Sequence, residues 1–465
     1  MPIGVPRRAF RDKGARMKRF HADQARGLQS RGRRQAVLAL AALGLTGVTG
    51  CVRKAGSEPR ALPRVTEARP PQVPFGSRPH GYAVGSILPT ATPAELDRAT
   101  RSFYDYWKAK YVRPGCGEGE LVVEARTKPT NLTVSEAHGY GMIITAYMAG
   151  HDPDAKHQFD AMLRYHRRHQ SALTPGIMAW YQDQNCRDTG GDNGATDGDL
   201  DIAYGLLLAD RQWGSCGSVD YGQHVDWVIR AISRRGLEGR GRYVLLGDRV
   251  QPDNQKHYNG TRPSDFMGSH FRSYAARTKD ALWLGLLDNV YWLAEKVQLA
   301  HAPETGLIPD FIQGALSAQP RPASHGFLEG ARDGSYAYNA CRIPLRFGTD
   351  FLMSGDERAR RMTQRITRFA RKAANGDPRQ LRGGYHLDGR PMVDYETMAF
   401  TGPFGVGAMV DAENQAWLDR LWEHTVRRAP EDYYEDTLRM LSMIVMSGNW
   451  WAPERVPDPC PPLAP

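Results

Sequence analysis

The sequence predicts an all-α domain built from helical hairpins, and three observations carry that prediction. Segments with apolar residues at i, i+3 or i+4 and i+7 recur from about residue 89 to residue 451. Strand signals are sparse, "RYVLLGDRV" (242–250) being one of the few. The joins between helical segments are rich in glycine, and no segment repeats another. With 465 residues, 41% of them hydrophobic and 9% aromatic, the chain can enclose a substantial core.

The formal charge of +10 suggests an acidic partner until it is located. Residues 1–34 hold eleven Lys/Arg against two Asp/Glu, a net +9, which leaves +1 for the rest. The remainder of the chain therefore gives no reason to expect a nucleic-acid partner. The basic block runs into "RRQAVLALAALGLTGVTGC" (33–51), whose apolar stretch is too short for a permanent membrane span, so residues 1–51 read as an export signal. "VTGC" (48–51) resembles a lipobox, which makes Cys51 the expected lipidation site, and Arg33-Arg34 loosely resembles a twin-arginine signal. An ordinary secretory signal cut elsewhere is the competing reading, and Met17 in "MKRF" is an alternative start.

Residues 52–88 are rich in proline and charge without an apolar period, and are expected to form an extended tether. Helical patterns follow in "ELDRATRSFYDYWKAKYV", "SEAHGYGMIITAYMAG", "KHQFDAMLRYHRRHQ", "KDALWLGLLDNVYWLAEKV", "ERARRMTQRITRFARKA" and "EDTLRMLSMIVMSGNWW", giving about a dozen helices across a domain at 89–455. Residues 456–465 form a proline-rich, irregular tail. Five cysteines follow Cys51, namely Cys116, Cys186, Cys216, Cys341 and Cys460, so an oxidising compartment allows two disulfides and leaves at least one thiol. None of them has zinc-site spacing.

One helical segment begins oddly. In "ATDGDLDIAYGLLLADRQW" (195–213) Ile202, Leu206, Ala209 and Trp213 share a face, which marks a core helix, yet Asp197, Asp199 and Asp201 crowd its start. A cap from Thr196 or Asp197 and attraction to the helix dipole, each contributing roughly 0.3–1 kcal/mol, account for one or two acids but not three. A second helix starts at Ser135 with Glu136 in its first turn and with Gly139 and Gly141 inside it. Each internal glycine costs about 1 kcal/mol relative to alanine, so the pair argues for close approach by a neighbouring helix or a ligand. Two acidic helix starts meeting at one cleft would supply what glycosidic cleavage needs, an acid for the leaving oxygen and a carboxylate for water or carbon.

The run 195–213 closely resembles the signature of glycoside hydrolase family 8, and "SEAHGYGM" resembles that family's acid motif. "MAW" (178–180), "PSDFM" (263–267), "DGSYAYNACRIPLR" (333–346) and "SGNWW" (447–451) are similar to further family pieces and occur in the family's order. The resemblance implies an (α/α)6 barrel of six helical hairpins with an open cleft for a β-linked polysaccharide and inversion at the anomeric carbon. It puts Glu136 on the general acid and Asp197 on the carboxylate that binds and distorts the sugar. Where the best-known branch carries Tyr-Asp-Ala and takes its base from the aspartate, this chain has Tyr338-Asn339-Ala340, and an amide cannot take a proton from water. Another branch also carries Asn there and takes its base from a preceding loop, whose motif "FLEG" (327–330) resembles, so Glu329 is the expected base and Asp333 its local competitor. The resemblance also puts Trp180, Tyr140, Tyr338, Asn339 and Arg342 at the sugar, where a flat ring covers the apolar face of a pyranose. Trp213, Trp450 and Trp451 read as packing residues.

The expected activity is therefore inverting endo-hydrolysis of β-1,4 bonds in a β-glucan such as cellulose, without cofactor or metal. Chitosan and mixed-linkage β-1,3-1,4-glucan are alternatives within the same mechanism. A glycan-binding lipoprotein that lost its base is an alternative from another class. The expected partners are a β-linked polysaccharide or oligosaccharide and, through the lipid anchor alone, a membrane. The protein is expected to be a monomer, exported and membrane-anchored.

Overall fold

Twelve long helices alternate between an inner ring and an outer shell in the described part of the chain. The structure is a computed structural model describing Glu58 and residues 69–453 except 128, 129, 189 and 190. The helices are α1 (Pro93–Tyr111), α2 (Ser135–Tyr147), α3 (Ala155–Arg168), α4 (Thr196–Trp213), α5 (Tyr221–Arg235), α6 (Gly268–Thr278), α7 (Leu282–His301), α8 (Ile343–Ser354), α9 (Glu357–Ala373), α10 (Met398–Ala408), α11 (Gln415–Arg427) and α12 (Tyr433–Met446). The even-numbered helices pack neighbour to neighbour in a ring that closes where α12 meets α2. This is the (α/α)6 barrel expected from the sequence.

The two layers differ in sequence for a physical reason. Outer helix α9 buries Ala359, Met362, Thr363, Ile366, Thr367 and Ala370, one stripe at helical spacing, and leaves charged residues on its other faces. Inner helices have protein on every side. Almost every residue of α2, α4 and α10 is buried, so the single core face expected of 196–213 is replaced by burial all round. Glycines let these inner helices touch. A Cβ on Gly139 would lie 2.6 Å from Asp201 Cβ and 2.9 Å from the Gly198 carbonyl, and one on Gly198 would lie 2.5 Å from Ser135 Oγ. The close approach inferred from Gly139 is thus by a helix, not a ligand.

Small antiparallel sheets fix the joins. Strand β1 (Asn131–Val134) runs directly into α2 and pairs with β2 (Tyr181–Asp183), where Ser135 N donates to Trp180 O at 2.8 Å. "RYVLLGDRV" is irregular: it makes an isolated bridge between Leu237 and Val244 and no strand ladder, with Leu245 N donating to Gly236 O and Val244 O accepting from Thr261 Oγ1. Cys116 and Cys186 form a disulfide and Cys341 is a buried thiol. Trp213, Trp450 and Trp451 are buried as expected of packing residues.

The tether reading needs correction at its C-terminal end. From Gln72 to Leu88 the chain is irregular but packed on the barrel: Gln72 N donates to Gln212 O, Phe75 N to Ala149 O, and the Val73 and Phe75 side chains are buried. Arg78 pairs with Asp97 at 2.5 Å and Tyr82 OH donates to Val445 O at 2.8 Å. Apolar side chains at intervals in a proline-rich segment suffice to dock it without helical periodicity. No described helix is long and apolar enough to cross a membrane, and Cys51 lies outside the described residues.

Candidate active site

The N-terminal ends of inner helices α2, α4 and α12, with the approach to α8, surround an open cleft of about 830 Å³. Glu136, Trp180, Tyr140, Glu329, Tyr338, Asn339 and Arg342 all line it, so the residues singled out from sequence converge. Asp197 lies just beneath, 1% exposed, between two guanidiniums: Arg262 Nη2 at 2.6 Å and Arg342 Nη1 at 2.9 Å.

The three acids that open α4 have three separate fates. Burial opposes charge on Asp197, but Arg262 and Arg342 outweigh it and hold the carboxyl below its usual range. Asp199 accepts Met178 N at 2.8 Å and so ties down the loop ending in Trp180, while burial pushes its carboxyl well above the usual range. Asp201 is buried too, but Arg346 at 2.8 and 2.5 Å and His270 at 2.9 Å keep it ionised. Neither Thr196 nor Asp197 caps the helix; the N-cap is Ala195, with no side-chain cap bond. The acids are partnered across the barrel, and the dipole is not their main partner.

Glu136 sits in the first turn of α2, half-buried, with Ser135 Oγ donating to its Oε2 at 3.2 Å. Loss of water and the nearby Asp197 anion push it up to about 8, against the pull of Arg262 and Arg342. It therefore holds a proton at neutral pH. Glu329 accepts from Asn339 Nδ2 at 2.9 Å, while Asn339 Oδ1 accepts from Arg342 Nη2 at 2.9 Å. Burial raises Glu329, and Arg262 and the Asn339 bond work against the rise. Asn339 is thus a link between a carboxyl and a guanidinium.

Asp333 is committed elsewhere. Its Oδ2 accepts Leu328 N at 2.8 Å and Glu329 N at 3.2 Å, and its Oδ1 accepts Gly330 N at 2.9 Å. It shapes the loop that carries Glu329. Asp310 does the same for the approach to α8, accepting from Ala337, Asn339 and Ala340 N at 3.0, 3.2 and 2.7 Å, and burial pushes it up to about 8. Arg342 Nη1 also donates to Tyr140 OH at 3.2 Å. Tyr338 OH lies 3.3 Å from Tyr395 OH, and the Tyr338 carbonyl accepts from Tyr434 OH at 2.6 Å. Trp180 is half-buried, its edge-to-face contact with Tyr181 holding the ring at the cleft wall.

Sequence reasoning missed Arg262, Asp265 and Asp310. Arg262 Nε donates to both oxygens of Asp265 at 2.9 and 3.0 Å. The signal for this pair was present as an i, i+3 opposite-charge spacing bracketing Pro263 in "RPSDFM". Asp310 had no local signal, since its partners are backbone groups some thirty residues on.

A half-buried carboxyl that favours its proton, an ionised one held by two arginines and a third carboxyl, Glu329, at one open cleft can hand on and accept protons around a sugar. The chain belongs to glycoside hydrolase family 8: a match to "Glycosyl hydrolases family 8" spans residues 90–448. It is therefore a glycoside hydrolase. It is 42% identical over 371 residues to a beta-glucanase of Niallia circulans, covering 80% of this chain and 89% of that one. It is 34% identical over 383 residues to an endoglucanase of Bacillus sp. strain KSM-330, covering 80% and 81%. The apo structure of a beta-1,3-1,4-glucanase from Paenibacillus sp. X4 superposes with a TM-score of 0.79 at 40% identity, over 82% of this chain and all of that one.

Proposed function

We propose that this chain is an inverting endo-β-glucanase that cuts β-1,4 bonds within a glucan, with Glu136 as general acid and Glu329 as general base. Glu136 gives its proton to the leaving glycosidic oxygen as the bond to the anomeric carbon breaks. Water attacks that carbon from the opposite face and loses a proton to Glu329, so one water is consumed and the configuration inverts. The observation that carries this reading is the convergence of Glu136 and Glu329 on one open cleft, with Asp197 held just beneath it by Arg262 and Arg342. Asp197 binds the sugar at the cleavage point, Trp180 stacks on a pyranose face, and Tyr140, Tyr338, Asn339 and Arg342 surround it.

Asp333, with both oxygens occupied by its own loop, is the weaker base candidate. A Glu at 329 also argues against a cleft that only binds. Similar proteins named beta-glucanase and beta-1,3-1,4-glucanase support mixed-linkage glucan alongside cellulose. The basic start and "VTGC" support export and anchoring through Cys51. A reducing-sugar assay on carboxymethyl cellulose, barley β-glucan and chitosan tests the proposal. Hydrolysis of the first two with little of the third is expected, and preference for chitosan would overturn the substrate assignment. Glu136→Gln should fold and lose at least about 10²-fold in turnover; activity within a few-fold of wild type would exclude Glu136 as the acid.

A further inference from the structure

The loop that carries Glu329 is tied down by side chains 70 residues away in sequence. They come from the single helical turn Gln255–Tyr258, which is itself anchored from behind. Tyr243 OH donates to Tyr258 O, Gly314 N donates to Asn259 O at 2.8 Å, and Thr261 Oγ1 donates to Val244 O at 2.7 Å. From this fixed edge two side chains reach consecutive carbonyls at the head of the loop. Lys256 Nζ donates to Gly326 O at 3.0 Å, and His257 Nε2 donates to Phe327 O at 2.9 Å. A carbonyl only accepts, so the ring proton sits on Nε2. Asn254, the N-cap of the turn, lies 3.1 Å from Nδ1, and the buried Phe327 ring meets the imidazole edge-to-face with centroids 5.3 Å apart.

Those two bonds do what the loop's own bonds cannot. Gly326 N donates to Gly330 O at 2.8 Å, and Asp333 gathers the amides of Leu328, Glu329 and Gly330, so these contacts are internal to the loop. They set its shape but not where it leans. Gly326 and Gly330, both at positive φ with open space where a Cβ would be, flank Leu328 and Glu329 as hinges. We propose, on the reading that Glu329 is the base, that His257 is a positioning residue that latches this loop to the cleft wall and so aims the Glu329 carboxylate at the attacking water. Asn339 Nδ2, at 2.9 Å from Glu329 Oε2, orients the carboxylate at its other end. The bond from Lys256 runs from an exposed side chain through water-rich surroundings and contributes less than that of half-buried His257. A base displaced by about 1 Å costs about 10²-fold in rate, so a latch two residues before Glu329 is felt in turnover.

The test compares His257→Leu with His257→Gln on soluble β-glucan. His257→Leu removes the donor, and its kcat should fall at least about tenfold with KM within about threefold, the pattern of a loss felt in the transition state. His257→Gln, whose side-chain amide reaches the same carbonyl, should keep at least about a third of wild-type kcat. Amide hydrogen exchange at Leu328, Glu329 and Gly330 should quicken in His257→Leu while that of α2 stays as in wild type. Azide separates aim from general damage: in a Glu329→Ala background it takes the place of the activated water, so adding His257→Leu should leave azide-supported turnover within about twofold. Wild-type kcat in His257→Leu overturns the proposal, and so does a raised KM with kcat unchanged, which would make His257 a sugar contact. An equal fall in the azide-supported reaction, or unchanged exchange at the three loop amides, also overturns it. Should His257→Leu fail to fold, His257→Asn, whose amide stops short of Phe327 O, is read in the same way. An active Glu329→Ala sinks the acid–base reading instead, and exchange at the loop still reports on the latch, so the two failures are distinguishable.

Discussion

Glu136 is the residue where burial, charge and chemistry meet most closely, and its proton affinity makes two predictions. A carboxyl raised from 4.5 to about 8 in the folded state binds its proton more tightly folded than unfolded. Its contribution to stability is therefore full below about pH 4.5 and is lost as pH rises through about 8. Activity should fall along an alkaline limb near the same pH as the acid loses its proton. Glu136→Gln, which cannot ionise, should melt level with wild type at pH 4 and above it at pH 9; scanning calorimetry at both values checks the sign. For the base, Glu329→Ala should abolish hydrolysis yet bind oligosaccharide, and azide should restore turnover to an α-configured product. Asp333→Asn keeps part of the loop's hydrogen bonding and should retain at least about a tenth of wild-type turnover, whereas a loss as deep as in Glu329→Ala would move the base to Asp333.

Among the elements, α2 and α4 form the tightest junction and place Glu136 above Asp197. Gly139→Val puts its Cβ 2.6 Å from that of Asp201 and should cost about 1–3 kcal/mol in urea unfolding as α2 and α4 are forced apart. Gly285 in α7 makes the control, since a Cβ there meets nothing within 4 Å. Gly285→Ala should be neutral or stabilise by about 1 kcal/mol. Equal effects at the two sites would mean that backbone propensity, and not the helix junction, governs both. The loops follow another rule: Asp333 and Asp310 each collect three backbone N–H groups, so a single carboxylate organises the segment bearing Glu329 or Asn339.

On the scale of the whole molecule, the segment from Gln72 to Leu88 acts as a strap across the barrel. A chain beginning at residue 89 loses Val73 and Phe75 from the core and the Arg78–Asp97 pair, and should melt several degrees lower with KM unchanged. An unaltered melting temperature would make the strap a spacer only. Cys51→Ser should release the protein from the membrane fraction or block processing. Unchanged fractionation and mature mass would exclude lipidation at that residue.

Helix periodicity and spaced motifs were legible in the chain itself, because the apolar stripe of an outer helix such as α9 and the local grouping of Asp197, Asp199 and Asp201 are properties of neighbouring residues. Glu136 and Asp197 could be singled out for the same reason, whereas Glu329 and Arg342 were singled out through the resemblance to glycoside hydrolase family 8. What each acid does could not, since its partners lie far along the chain: Arg342 and Arg262 for Asp197, Met178 for Asp199, and Arg346 and His270 for Asp201. Only closure of the helical ring brings those groups together, and with them the different settings of three aspartates within five positions. Sequence by itself determined the twelve-helix plan and where its acids fall; tertiary structure decided their protonation, because in a buried site the charge of a carboxyl is set by burial and by partners that only folding supplies.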